Sequence, residues 1–152
     1  MKLILDDVLF KIDSKTRDTA FFITKDAAGI KYSFDCSFEE NEFWEDQISP
    51  SICINSIKTE VKNIEDLVGQ CFEINDIREA DKREDTFYVY EHEPLENYKL
   101  KVLEIKDDKA HIVCSGTAII DGYAEPYTST KFELDCWLPI IENANDWSKF
   151  GL

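Results

Sequence analysis

Through most of this chain apolar and polar side chains alternate with a period of two, which is the repeat of a strand and not of a helix. In "IKYSFDCSF" Ile30, Tyr32, Phe34, Cys36 and Phe38 take one face, and Lys31, Ser33, Asp35 and Ser37 take the other. "TAFFIT" before it is a second strand. "KDAAG" joins them as a short turn ending in Gly29, so residues 19–37 read as a β-hairpin. "SICINSI" and "QCFEIND" continue as strands. In the second half "TFYVYEH", "YKLKVLEI" and "KAHIVCSGTAII" alternate too, with "KDDK" as the turn between the last two. "TKFELDCWLPI" sets Phe132, Leu134, Cys136 and Leu138 on one face, and Pro139 marks the end of that strand or a sheet edge. "FDCSF" and "LDCWL" echo each other, but nothing around them repeats.

Two stretches depart from the alternation. "NIEDLVG" has a cap at Asn63, acids in its first turn and Gly69 as a stop, which fits one or two helical turns. "SFEENEFWEDQI" has Ser37 and Glu40 at capping-box spacing, with Phe43 or Trp44 and Ile48 as an apolar stripe, so it reads as a second short helix. The expectation is a strand-dominated α+β fold of about eight or nine strands. They form an antiparallel sheet or a partly closed barrel with one or two short helices. A parallel nucleotide-binding sheet is not expected, because long helices do not alternate with the strands. With 152 residues the chain fits one globular domain, its last residues (141–152) forming a tail that docks or packs loosely.

Charge constrains function more than any motif. Thirty-two acids against seventeen Lys and Arg give −15 at neutral pH. Such a surface repels nucleic acid and anionic membranes and draws in basic proteins. The five cysteines show no CxxC pair and no zinc-ribbon spacing, and each has an apolar or aromatic residue close by. They read as buried thiols in a reducing compartment. "MKLILDDVLF" is neither a signal peptide nor a membrane span, which places the protein in the cytoplasm. No glycine-rich phosphate loop, nucleophile elbow or basic aromatic platform is present.

Three groups of residues are candidates for chemistry. His92 stands between Glu91 and Glu93, and with Asp121 these could serve a small hydrolase or a metal-dependent enzyme. On a strand, however, His92 points away from its two neighbours, so the tripeptide does not converge on one ion. His111 and Cys114 point to opposite faces by the same reasoning. No metal site and no cofactor is therefore expected. The third group is acidic and aromatic together. Glu39, Glu40, Glu42, Glu45 and Asp46 surround Phe43 and Trp44, and Tyr88, Tyr90, Tyr123 and Tyr127 repeat the theme in "TFYVYEHEP" and "DGYAEPY". Aromatic anchors ringed by charge are the make-up of protein interfaces. A ligand-binding or structural β-domain lined by Tyr and Phe is a further reading.

In its small size, free cysteines, acidic balance and clusters such as "FEENEFWEDQ", the chain resembles the immunity proteins of bacterial polymorphic toxin systems. The resemblance implies a module that binds a cognate toxin, often a basic nuclease, and blocks its active site. It carries no motif, so it assigns no individual residue.

Overall fold

A computed structural model describes residues 1–152. It contains thirteen strands, one α-helix and two 3-10 helices. The N-terminal segment supplies β1 (Lys2–Leu5) and β2 (Val8–Phe10). The expected hairpin is present as β3 (Ala20–Asp26) and β4 (Gly29–Ser37). Gly29 closes its turn at φ +145°, where a Cβ would run into the backbone of Thr59 and Glu60. A small hairpin, β5 (Asn41–Phe43) and β6 (Asp46–Ile48), precedes β7 (Ser51–Lys58). The 3-10 helix Ile64–Leu67 follows at the expected place, although the Asn63 side chain makes no capping hydrogen bond. Then come β8 (Cys71–Ile74), α1 (Ile77–Arg83), β9 (Thr86–Tyr88) and β10 (His92–Pro94). The chain ends with the long strands β11 (Asn97–Lys106), β12 (Lys109–Asp121) and β13 (Thr128–Ile141), and the 3-10 helix Ala144–Phe150.

All strands except β5 and β6 belong to one sheet, in the order β10-β9-β7-β4-β3-β13-β12-β11-β8, with β1 also on β13 and β2 on β1. The sheet does not close into a barrel, because β10 and β8 remain unpaired edges. Every pairing is antiparallel except a two-residue parallel contact of Ile140 and Ile141 with Phe21 and Phe22. β13 is the spine. One of its edges carries β12, while the other carries β1 at Phe132–Asp135 and then β3. Pro139 therefore does not end the strand. Ile140 N–H bonds toward Asp108, so the missing N–H of Pro139 falls on the other edge, in the gap between β1 and β3.

The two halves of the sheet turn their apolar faces to each other around a core of 35 buried residues. Phe132 of β13 meets Phe87 of β9 at 5.2 Å between ring centres, and Phe21 stacks on Tyr32 at 5.3 Å. Phe132, Leu134, Cys136 and Leu138 all point inward, as their alternation requires. Cys36 and Cys136, the two members of the Asp-Cys echo, are neighbours in this core. Burial, then the Cys136 thiol, pushes the Cys36 thiol up. All five cysteines are free, and burial likewise raises Cys114 and brings Cys53 to about 12. Cys71 departs from expectation, since it is exposed on the edge strand β8. The C-terminal tail docks. Trp147 is buried against Phe22, and Asn143 and Asp146 form a reciprocal capping box. No helix is long and apolar enough to cross a membrane.

Candidate functional site

The helix expected over residues 37–48 is a strand end followed by the β5–β6 hairpin. A helix there would stack Glu39, Glu42, Glu45 and Asp46 at three- and four-residue spacings, where like charges repel. It would also offer only four apolar residues, Phe38, Phe43, Trp44 and Ile48, scattered round its surface. The hairpin resolves both problems. Phe43 and Ile48 share one face and are buried, and all five acids remain exposed, Asp46 at the rim of that face opposite Phe43. Phe43 is thus a core residue and not a contact residue. The Asn41 amide donates to the Leu9 carbonyl at 2.8 Å and ties the hairpin to β2.

The two turn residues, Trp44 and Glu45, have φ of +47° and +73°. A two-residue hairpin needs these left-handed conformations, and Asn-Gly is the sequence that normally supplies them. Trp and Glu there cost roughly 1–2 kcal/mol each. The burial of Phe43 and Ile48 overrides that cost. The result is a tryptophan at the tip of an acidic turn, 46 % exposed, stacked on Phe43 at 4.6 Å and donating through Nε1 to Asp6 at 3.3 Å.

The other candidate residues gather beside this hairpin. The expected strand "TFYVYEH" breaks after Tyr88, and its chain re-enters as β10 at His92. Tyr90 lies in that connection and donates to Asp46 at 2.9 Å, joining the β9–β10 turn to β6. The loop between β12 and β13 packs against the same turn. Tyr123 donates to Glu91 at 2.9 Å, and the Glu93 carboxylate lies over Gly122, where any Cβ would displace it. Tyr127 donates to Glu96. Burial, then the Asp46 hydrogen bond, raises the Tyr90 phenol, and Asp121 adds to the same effect through space. The hydrogen bonds to Glu91 and Glu96 raise Tyr123 and Tyr127. The stretches that build this edge, 39–50, 88–98 and 121–130, contain no Lys or Arg.

On the adjoining side of the edge lies a cleft of about 430 Å³ lined by Asp13, Asp18, Glu39 and Glu40, with Tyr88 and His92 as one wall. His92 pairs with Tyr88 across β9 and β10, their rings 4.9 Å apart. Glu91 is engaged by Tyr123 and Glu93 lies toward Gly122, so neither flanking acid is directed with His92 at one point. No three His, Cys, Asp or Glu side chains in the molecule converge closely enough to hold a metal ion. His111 and Cys114 do point to opposite faces. Cys114 is buried, while His111 bonds to Asp135 at 2.7 Å and stacks on Trp137.

The sequence reading missed the most connected polar group. Asp85 is fully buried. It accepts from Asn55 N–H and Arg83 Nε, both at 2.8 Å, and from the Tyr98 hydroxyl. Arg83 also donates to the Asn55 and Ser56 carbonyls. Burial pulls the Arg83 guanidinium down, but Asp85 outweighs it and leaves it raised. α1, which presents Arg83, was missed as well. Its signal was the Asp76 cap, which accepts from Arg78 N–H at 2.8 Å, with Glu79 at capping-box spacing.

No protein-family model matches the chain, and neither the curated proteins nor the solved structures yield a match.

Proposed function

We propose that this chain is a protein-binding module whose acidic, aromatic edge docks a basic protein and blocks it, in the manner of the toxin-immunity proteins it resembles. The observation that carries this reading is the gathering of three cation-free segments at one edge, with Trp44, Tyr90, Tyr123 and Tyr127 exposed among carboxylates. Large aromatics lose little rotamer freedom on binding and bury much area, so they serve as anchors. The surrounding carboxylates steer a cationic partner and speed its encounter. They also present anionic oxygens in place of nucleic-acid phosphates, which suits a basic nuclease as target. Five free thiols suit action in the reducing cytoplasm.

The test is capture from a lysate of the native host, followed by purification of the retained protein. The expected partner is a single basic protein that elutes with salt. Reversal of Glu40, Glu42 and Glu45 to Lys slows its association about tenfold or more, since rim charges act chiefly on the on-rate. Retention of no basic protein removes the reading, and an unchanged on-rate removes this edge as its surface.

A further inference from the structure

The outward face of β1, β13, β12, β11 and β8 holds a recess of about 560 Å³, away from the acidic edge. Strand register fixes its shape. Glu133, Ser115 and Lys99 form one row across β13, β12 and β11, and Asp135, Val113 and Lys101 form the next. The short side chains of β12 make the floor, β13 raises an acidic wall and β11 a basic one. The outermost strands add Lys2 beside Asp135 and Glu73 beside Lys99. The lining thus carries three lysines and three carboxylates and no net charge, in a chain of −15.

The walls do not neutralise each other. β13 and β11 stand two strand spacings apart, about 9.6 Å. Glu133, Lys101 and Lys2 make no ion pair within the chain. The pairs on this face are Lys99 with Glu73 at 3.7 Å and His111 with Asp135.

We propose that this face is the contact surface of a two-fold dimer of the chain, with the symmetry axis running along β12. Such an axis exchanges the β13 and β11 positions. Glu133 then meets Lys99 of the second copy and Asp135 meets Lys101, and both contacts occur twice. Val113 meets its own counterpart at the axis. A two-fold interface must be self-complementary, and opposite walls at equal distance from a neutral floor satisfy that condition. Stacked sheets lie about 10 Å apart, a distance that Lys and Glu side chains reaching from both sides fill, together with the recess. Contact through this face is also the least opposed by repulsion between two acidic chains. The proposal is independent of the function proposed above.

Sedimentation velocity on the full chain tests it. The expected result is a concentration-dependent monomer–dimer equilibrium that salt weakens. The pair reversals K99E/K101E and E133K/D135K each raise the dissociation constant at least about tenfold, since like charges now face each other. An equimolar mixture of the two variants regains the dimer, because opposite charges meet again. A second variant, Val113→Cys on a Cys71→Ser background, is joined into a covalent dimer by a short bis-maleimide cross-linker, which spans the gap between stacked sheets that a disulfide does not. The wild-type chain is not, since Cys71 lies two strands from the axis. A wild-type chain that stays monomeric at every concentration overturns the proposal and leaves the recess to another occupant. A dimer indifferent to both reversals and not captured by Val113→Cys overturns it equally.

Discussion

Tyrosine donates to a carboxylate at four places in this molecule, and one of the four differs from the rest in what surrounds it. Tyr98 bonds to Asp85 in the interior, where Arg83 and the Asn55 N–H complete the carboxylate's shell. Tyr90, Tyr123 and Tyr127 bond to Asp46, Glu91 and Glu96 in contact with solvent. The donor and acceptor chemistry is the same, but burial changes its consequence. In the interior a broken bond leaves a charge or a hydroxyl without water to replace its partner. At the edge, water or an incoming cation takes over at little cost. The first pair therefore fastens α1 to β7 and β11, and the other three join surface turns through bonds that solvent can replace.

The largest expected effect is on the buried side of this comparison. Asp85→Ala leaves Arg83 and Tyr98 without their acceptor and should destabilise the fold by about 3–5 kcal/mol, read by denaturant unfolding. A loss below about 1 kcal/mol would mean that the network is incidental to the fold. Tyr98→Phe keeps the Arg83–Asp85 pair and should cost about 1–2 kcal/mol.

The same variant also separates the two regions by pH. Burial, then the Asp85 hydrogen bond, holds the Tyr98 phenol above its ordinary value. Its contribution is complete below pH about 10, where the unfolded phenol begins to ionise, and is lost as pH rises through the folded value. Wild-type stability should thus fall more steeply above pH about 10 than that of Tyr98→Phe, and equal slopes would contradict the assignment. The smallest effect belongs to the edge. Tyr123→Phe and Tyr127→Phe should leave the unfolding midpoint unchanged, and a clear shift in it would show that the 122–127 loop braces the fold.

The long strands were legible because each needs only its own alternation. The hairpin of β3 and β4, that of β11 and β12, and the inward set Phe132, Leu134, Cys136 and Leu138 stand where period two puts them. Residues 37–48 were misread because Trp44 and Ile48 fit a helical stripe at four-residue spacing while Phe43 and Ile48 fit a hairpin face. The repulsion among the intervening acids decides between them, and spacing alone does not show it. Asp85 was illegible for another reason. In "EDTF" it looks like any surface acid, and its burial depends on Asn55, Arg83 and Tyr98 arriving from three other elements. The candidate edge was legible as a set of residue types. Its assembly, through Tyr90 to Asp46 and Tyr123 to Glu91, depends on a register that no single stretch encodes.

The proposed function places recruitment of a basic protein on the acidic edge and not on the neutral sheet face. Stopped-flow association with the captured partner over a range of salt concentrations measures it most directly, comparing wild type, the Glu40, Glu42 and Glu45 reversal, and K99E/K101E as control. The expected result is a steep salt dependence for wild type and the control, and a slow, flattened one for the edge reversal. An edge reversal that keeps the wild-type rate and salt slope would contradict it.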